Sequence, residues 1–241
     1  MSKRQHNTFR ILALLVCLGV ALAILVSPST GHCLSGAQVA IYNDTTDTAG
    51  SGAWGVGITA IKQMLTHYGY TYEDITPSEI NTTDLGSLYK VLLVPGGWVG
   101  WYVTLVNQTG LENIRSFVAN GGGYFGICAG AYFAADVIHW TPGSYTAPVA
   151  YDYYLDIFPG VASGAIYDII GWTEATGCSL SSGIVVGAEM TTVTVDTSVL
   201  SGVPASLDVL YYGGPFFRPW AAWGHTSDEN LQVVATYNVS G

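Results

Sequence analysis

One short segment of the chain combines a potential nucleophile with the small residues that a sharp turn needs. Gly126, Cys128 and Gly130 have the spacing G-x-C-x-G, with a glycine two residues away on each side of the cysteine. The segment follows an apolar run and precedes a helical pattern, which is the strand–turn–helix context of a nucleophile elbow. A thiol at a helix N-terminus meets the positive end of the helix dipole, which favours the thiolate. The spacing predicts that Cys128 is a nucleophile; a buried structural cysteine is the alternative.

A thiolate that attacks a carbonyl carbon also needs hydrogen-bond donors for the oxyanion that forms. The backbone N–H of Ala129 directly follows the cysteine and is one expected donor. A second donor is expected from Gly96 or Gly97, where a neighbouring apolar run ends at Pro95-Gly96-Gly97. Trp98 follows this turn and is interpreted either as a pocket wall or as core packing. The residues predicted to border the thiol are Gly96, Trp98, Gly126, Gly130, Gly213 and Gly214.

Hydrolysis by a thiol requires a general base, and histidine is the residue that usually supplies it. His225 is the candidate base, with Glu229 four residues further along the chain; a surface loop histidine is the alternative. His6 and His32 are assigned to the N-terminal segment, and His67 to the surface of a helix near its end. His139 is assigned either to a helix cap or to the core.

The elements that must position these residues alternate along the first half of the chain. Apolar runs predict strands at 38–42, 71–75, 90–94 and 123–127, and helical spacing predicts helices over 57–68, 111–119 and 129–137. Continuous apolar runs are typical of parallel strands that are covered on both faces. Strands and helices that alternate with short connections predict an α/β fold. After Trp140, β-branched runs at 183–195, 209–212 and 231–237 predict an added β-rich segment.

The N-terminal residues have the pattern of a targeting segment. Lys3, Arg4 and Arg10 precede the uncharged apolar run 11–26, and a Ser- and Pro-containing stretch follows it. This pattern predicts that residues 1–35 are a cleaved secretory signal or a retained membrane anchor. In both cases the cations stay in the cytoplasm and the remainder lies outside it, secreted or anchored. Residues 36–241 are predicted to form one domain.

Composition narrows the range of partners. The chain has 7 Lys and Arg against 17 Asp and Glu, for a formal net charge of −10, which leaves no basic face for nucleic acid. No cluster has metal-ligand spacing and no glycine loop has a phosphate- or dinucleotide-binding pattern, so neither a metal nor a cofactor is predicted. Cys33 and Cys178 either form a disulfide or remain as thiols.

Four segments together resemble a known family. They are VPGGW at 94–98, GGGYFGICAGAYFA at 121–134, LDIFPGVA at 155–162 and YYGGPFF at 211–217. They look like the biotin-protein ligase N-terminal domain family, in the class I glutamine amidotransferase-like superfamily. The resemblance implies a flavodoxin-like, mostly parallel sheet with helices on both faces, Cys128 at the elbow, and an oxyanion hole near Gly97 and Ala129. Nothing resembling a biotin-ligase catalytic domain is present, so the family name implies no biotinylation activity.

The chain departs from the superfamily at the catalytic base. Active class I amidotransferases carry His-x-Glu on a late turn, and no convincing counterpart is present before the chain stops at Gly241. Either the C-terminus is truncated or this domain is catalytically incomplete. One interpretation is an exported or membrane-anchored amide hydrolase that acts on a small-molecule or peptide amide. The alternative is a non-catalytic extracytoplasmic module that binds a small molecule or an envelope partner. In both, the membrane is contacted only through the N-terminal segment.

Overall fold

The computed structural model describes residues 37–140, 149–152, 155–164, 166, 169, 188–219 and 231–238. The predicted targeting segment 1–35, the candidate base His225, and Cys33 and Cys178 lie outside these residues. Within the described ranges, no helix is long and apolar enough to cross a membrane. The apolar run 11–26 is not among the residues to which this finding applies.

The first half of the chain forms a parallel sheet with helices between its strands, which confirms the α/β prediction. Its four strands lie in the order β2-β1-β3-β4, and every pairing between them is parallel. The strands are β1 (Val39–Tyr42), β2 (Tyr72–Ile75), β3 (Val91–Val94) and β4 (Gly123–Gly126). The helices are α1 (Gly55–His67), α2 (Pro77–Ile80), α3 (Leu85–Leu88), α4 (Val99–Leu105), α5 (Gln108–Ala119) and α6 (Ala129–Ala134).

Helix α1, between β1 and β2, shows how the local sequence determines where a helix forms and ends. Ile58, Ile61 and Leu65 recur at helical spacing and are buried in the core. Gly69 ends the helix at a φ of +74°: its N–H donates to Thr66, and the next N–H donates to Leu65. This pair of hydrogen bonds is a Schellman motif, which favours glycine at the left-handed position. The predicted helix is confirmed, and it ends at a glycine.

The strand order also defines where a ligand site is expected. The chain passes from β1 to β2 on one side of the sheet and from β3 to β4 on the other, so the direction reverses between β1 and β3. In open parallel sheets, ligands bind beyond the carboxyl ends of the strands at such a reversal. The carboxyl end of β1 leads into Asp44, and that of β3 leads into Gly96 and Gly97. Cys128 follows β4, the other neighbour of β3.

Two sequence predictions around the elbow need correction. The helix predicted over 129–137 ends at Ala134, and β5 (Ala135–Trp140) begins at the next residue. The alanines fit a helix, but the β-branched Val137 and Ile138 pair with strands on both sides, and this pairing overrides local preference. The strand predicted as buried at 123–127 is only half-buried, because among the described strands β4 has β3 as its single neighbour.

The second half adds two further sheets, which confirms the predicted β-rich segment. One sheet has the order β10-β7-β5-β6, with β5 parallel to β7 and the other pairs antiparallel; the second is antiparallel, in the order β11-β8-β9. Their strands are β6 (Val149–Asp152), β7 (Phe158–Gly164), β8 (Ala188–Val195), β9 (Ser206–Tyr212), β10 (Phe216–Pro219) and β11 (Ala235–Tyr237).

Candidate functional site

The backbone at Cys128 adopts a conformation that few non-glycine residues tolerate. Its φ is 50° and its ψ is −107°, at the junction between β4 and α6. Asp156 is the other non-glycine residue with a positive φ among those that the structure describes. Backbone strain of this kind costs about 1–3 kcal/mol and persists where the surrounding structure imposes it. The turn between β4 and α6 is therefore sharp and strained at Cys128, and its role as a nucleophile elbow stays a prediction.

The two glycines of the G-x-C-x-G segment are required by close backbone packing. A Cβ atom added to Gly126 would lie 2.5 Å from the carbonyl oxygen of Gly130, and one added to Gly130 would lie 2.1 Å from that of Val94. Backbone hydrogen bonds hold the turn against the end of β3: Ile127 donates to Val94, and Gly130 donates to Pro95. The spacing of the motif thus reflects the contact between the elbow and β3.

We expect Cys128→Gly to be more stable than Cys128→Ala by about 1 kcal/mol, because glycine adopts this backbone conformation without a Cβ penalty. Both variants lose the thiol, so their difference isolates backbone strain. Urea unfolding of the two variants, followed by circular dichroism, measures the difference in their free energies of unfolding. If the alanine variant is the more stable of the two, the turn is not strained.

The thiol is half-buried between two backbone segments. A Cβ atom added to Gly96 would lie 3.2 Å from the Cβ of Cys128 and 3.9 Å from its sulfur, so the Gly96 backbone contacts the cysteine side chain. On another side, the thiol donates to the carbonyl oxygen of Tyr212 at 4.0 Å. The structure therefore brings the elbow, the Pro-Gly-Gly turn and the end of β9 together around one sulfur atom.

The two predicted oxyanion donors are the backbone N–H groups of Ala129 and Gly97. Ala129 is the first residue of α6, and Gly97 lies directly after the residue that contacts Cys128. Neither N–H is a donor in the backbone hydrogen bonds that the described residues form outside their helices and strands. Gly97 has a φ of +151°, and a Cβ added there would lie 1.8 Å from the carbonyl oxygen of Gly52. The role of these two groups as oxyanion donors stays a prediction.

A second loop holds the Pro-Gly-Gly turn in place. Gly97 pairs with Ala53 in an isolated antiparallel bridge, in which Trp54 N–H donates to Gly96 and Trp98 N–H donates to Gly52, at 2.9 and 2.8 Å. In this pairing the N–H of Gly97 points away from the 51–54 loop, because the bridge bonds involve the residues on either side of it. The loop therefore fixes the turn without using the predicted oxyanion donor.

Tyr102 supports the same turn from the core. It is fully buried, and its hydroxyl lies 3.1 Å from the carbonyl oxygen of Pro95 and 3.2 Å from that of Gly96. Burial, and after it the charge of Asp44, raises the pKa of the Tyr102 hydroxyl well above its usual range. The hydroxyl thus stays protonated and donates to these carbonyl groups.

Sequence reasoning did not single out Asp44. Its side chain is fully buried and accepts hydrogen bonds from the backbone of Gly52 and Ala53 and from the hydroxyls of Ser51 and Tyr42. A carboxylate immediately after a buried parallel strand was the available signal, because this position faces the edge where ligands bind. Its three partners in the 51–53 segment, seven to nine residues further along the chain, could not be read from the sequence.

The remaining predicted pocket residues differ in their surroundings. Trp98 is 57% exposed, so it is not packed in the core. Gly213 accepts a hydrogen bond from Tyr132 of α6 at 3.2 Å, and Gly214 accepts one from Tyr211 at 2.6 Å. The first contact attaches the end of β9 to α6, and the second lies within the turn that follows β9. Both glycines directly follow Tyr212, whose carbonyl oxygen borders the thiol.

The described ranges contain two histidines, His67 and His139, and neither is identified as the base. His67 is exposed, as predicted, in the last turn of α1. This helix runs back from the carboxyl end of β1, so His67 lies at the opposite edge of the sheet from Cys128. His139 is not a helix cap, contrary to one of the two predictions for it, because it lies within β5 and is paired with Ala150 and Ser163. His225 is outside the described residues.

No group of three His, Cys, Asp or Glu residues in the described ranges could hold a metal ion. The oxygen atoms of Asp44 are occupied by four protein donors, so this buried carboxylate is already satisfied. The chemistry that the described site can support is that of a thiol beside backbone N–H groups.

Comparison with known proteins assigns the chain to a family. The family described as "Biotin-protein ligase, N terminal" matches residues 37–240. The chain belongs to this family. The predicted class I glutamine amidotransferase-like superfamily is consistent with that membership.

Two curated relatives of this family member match parts of the chain. It is 31% identical over 147 residues to a protein named Biotin--protein ligase from Schizosaccharomyces pombe. The matched region covers 61% of this chain and 21% of that protein. The chain is 34% identical over 94 residues to an uncharacterized protein of Chlamydia muridarum, and this matched region covers 39% of this chain and 36% of that protein. The chain therefore spans about a fifth of the first relative and about a third of the second.

Proposed function

We propose that this chain is an amidotransferase-like protein that uses Cys128 to cleave an amide bond in a small molecule or peptide. The observation that carries the proposal is the strained elbow, because strained backbone at a potential nucleophile is typical of sites where geometry serves chemistry. The position supports it too: Cys128 lies beyond the carboxyl end of β4, beside the topological reversal of the sheet.

In the proposed reaction the Cys128 sulfur, as a thiolate, attacks the carbonyl carbon of the amide. A C–S bond forms, and the carbonyl oxygen becomes an oxyanion that accepts hydrogen bonds from the N–H groups of Ala129 and Gly97. The C–N bond then breaks, and the leaving amine takes up a proton. Water hydrolyses the resulting thioester to a carboxylic acid and restores the thiol. His225 is the candidate base that takes the proton from the Cys128 thiol and later gives it to the leaving amine.

An activated ester tests this proposal without knowledge of the substrate. We expect p-nitrophenyl acetate to release about one equivalent of p-nitrophenolate in a burst and to leave an acetyl group on Cys128, because the acyl-thiol intermediate accumulates. Absorbance follows the burst, and peptide mass spectrometry locates the acetyl group. Cys128→Ala keeps the other three cysteines and serves as the control. An equal burst in this variant, or the absence of acetyl-Cys128 in the natural chain, would contradict the proposal.

A non-catalytic binding module is the second candidate. It is favoured by the location of His67 at the far edge of the sheet and of His139 in β5, since neither lies on a late turn as the superfamily base does. In this case the elbow is retained as architecture, and the surface that includes the exposed Trp98 recognises a small molecule or an envelope partner. A Cys128 that is inert toward the ester distinguishes this candidate from the first.

We also propose that residues 1–35 direct export or anchor the chain, so that the domain lies outside the cytoplasm. The support is the order of three cations and the apolar run 11–26. Cell fractionation followed by N-terminal sequencing tests this proposal. Recovery of the uncleaved chain in the soluble cytoplasmic fraction would contradict it.

A further inference from the structure

We infer that Asp44 is a positioning residue for the proposed oxyanion hole, and this inference rests on the proposed function. The four hydrogen bonds that Asp44 accepts come from groups other than the thiol, and Asp44 acts through the 51–54 loop and the Pro-Gly-Gly turn. The inference follows from a continuous series of contacts that links the buried carboxylate to the backbone of Gly97.

The first step is the attachment of the loop to the carboxylate. The backbone N–H groups of Gly52 and Ala53 each donate to Asp44 at 2.9 Å, one to Oδ2 and the other to Oδ1. The hydroxyl of Tyr42 adds a bond to Oδ2 at 3.2 Å, and that of Ser51 adds one to Oδ1 at 3.1 Å. Because each carboxylate oxygen accepts one backbone N–H, the loop is fixed in both position and orientation.

The second step is the contact of the loop with the turn. The same residues that Asp44 fixes present the carbonyl oxygen of Gly52 to Trp98 N–H and the N–H of Trp54 to Gly96. A Cβ on Gly52 would lie 2.5 Å from the carbonyl oxygen of Trp98, so no space separates the two backbones. A displacement of the loop must therefore displace Gly96, Gly97 and Trp98.

The third step is the contact of the turn with the nucleophile. Gly96 contacts the Cys128 side chain, and the Gly97 N–H is the predicted donor to the oxyanion. An oxyanion hole works only when its donors lie within hydrogen-bond distance of the developing charge, so a small displacement has a large effect. Asp44 is thus placed to control the rate of acyl transfer without contacting the reacting atoms.

Asp44→Asn is the informative substitution, since asparagine has the same shape but only one acceptor oxygen. Tyrosine and serine hydroxyls can rotate, but a backbone N–H cannot, so one of the two loop N–H groups must face the amide NH₂. We expect this loss of a backbone hydrogen bond to release the loop and to displace Gly97.

Two reagents separate positioning from general damage. Acetylation by p-nitrophenyl acetate passes through an oxyanion, whereas alkylation by iodoacetamide forms the C–S bond with loss of iodide and develops no oxyanion. The ratio of the two rate constants at Cys128 therefore reports on the oxyanion hole. We expect Asp44→Asn to lower this ratio by about tenfold or more, since complete loss of one donor lowers rates by about 100- to 1000-fold. Alkylation should change by less than about threefold.

Two further variants complete the test. In Gly52→Ala the added Cβ pushes the loop away from Trp98 while Asp44 stays intact, so this variant should also lower the ratio. It provides the test of the positioning role if Asp44→Asn does not fold. Ile114→Val removes a buried methylene group on α5 and should leave the ratio unchanged. An unchanged ratio in the folded Asp44 or Gly52 variant, or an equal fall in the Ile114 variant, overturns the positioning role alone. If the natural chain is not acetylated at Cys128, the proposed function itself is overturned.

Discussion

Gly130→Ala is expected to lower the free energy of unfolding by about 3 kcal/mol or more, although alanine normally stabilises a helix relative to glycine. The reason is the distance of 2.1 Å between an added Cβ and the carbonyl oxygen of Val94. Backbone atoms on both sides of this contact belong to the elbow and to β3, so neither can move without breaking the hydrogen bonds between them. Urea unfolding followed by circular dichroism measures the change.

Gly86→Ala provides the matched control, because this glycine also lies within a helix, α3. An added Cβ there meets an oxygen of Asp84 at 3.5 Å, which is ordinary contact. We expect this variant to be at least as stable as the natural chain, by up to about 1 kcal/mol. Equal stability of the Gly130 and Gly86 variants would show that the elbow does not pack closely against β3.

Gly97→Ala is expected to lower acetylation of Cys128 by about 100-fold, which corresponds to the loss of one oxyanion donor. An alanine Cβ would lie 1.8 Å from the carbonyl oxygen of Gly52, and the φ of +151° is one that alanine rarely adopts. Both effects rotate the peptide that carries the predicted donor away from its position. The burst rate with p-nitrophenyl acetate measures the effect.

The control for this variant is Gly121→Ala, which separates the steric clash from the backbone effect. Gly121 also has a positive φ, of +95°, but no atom lies within 4 Å of an added Cβ. It precedes β4 and so lies at the opposite edge of the sheet from Cys128. We expect the acetylation rate of this variant to be unchanged. A Gly97 variant that reacts as fast as the Gly121 variant would remove Gly97 from the proposed oxyanion hole.

The tight turn at Cys128 could be predicted from the sequence because its determinants are local. Gly126, Cys128 and Gly130 lie within five consecutive residues, and the glycines meet the segment's own backbone or the adjacent strand. The glycine stop of α1 is local in the same sense, since Gly69 bonds only to the preceding turn. Features that depend on a few consecutive residues and one strand neighbour are the ones that sequence patterns specify.

The features that escaped prediction depend on contacts between distant segments. The role of Asp44 requires the 51–54 loop and the 96–98 turn to meet, and no residue spacing indicates that contact. The switch from helix to strand at Ala135 depends on the pairing of β5 with β6 and β7. Helical spacing of the alanines gave the wrong end for α6 because these tertiary contacts outweigh local preference.

The most direct test of Cys128 as an elbow nucleophile compares the same thiol in the folded and unfolded chain. The rate constant for acetylation of Cys128 by p-nitrophenyl acetate is measured by peptide mass spectrometry at one pH, in buffer and in a urea concentration that unfolds the protein. We expect the folded chain to react about 100-fold faster, because only the fold brings oxyanion donors to the thiol. A folded chain that reacts at the same rate as the unfolded one, or more slowly, would contradict the proposed function.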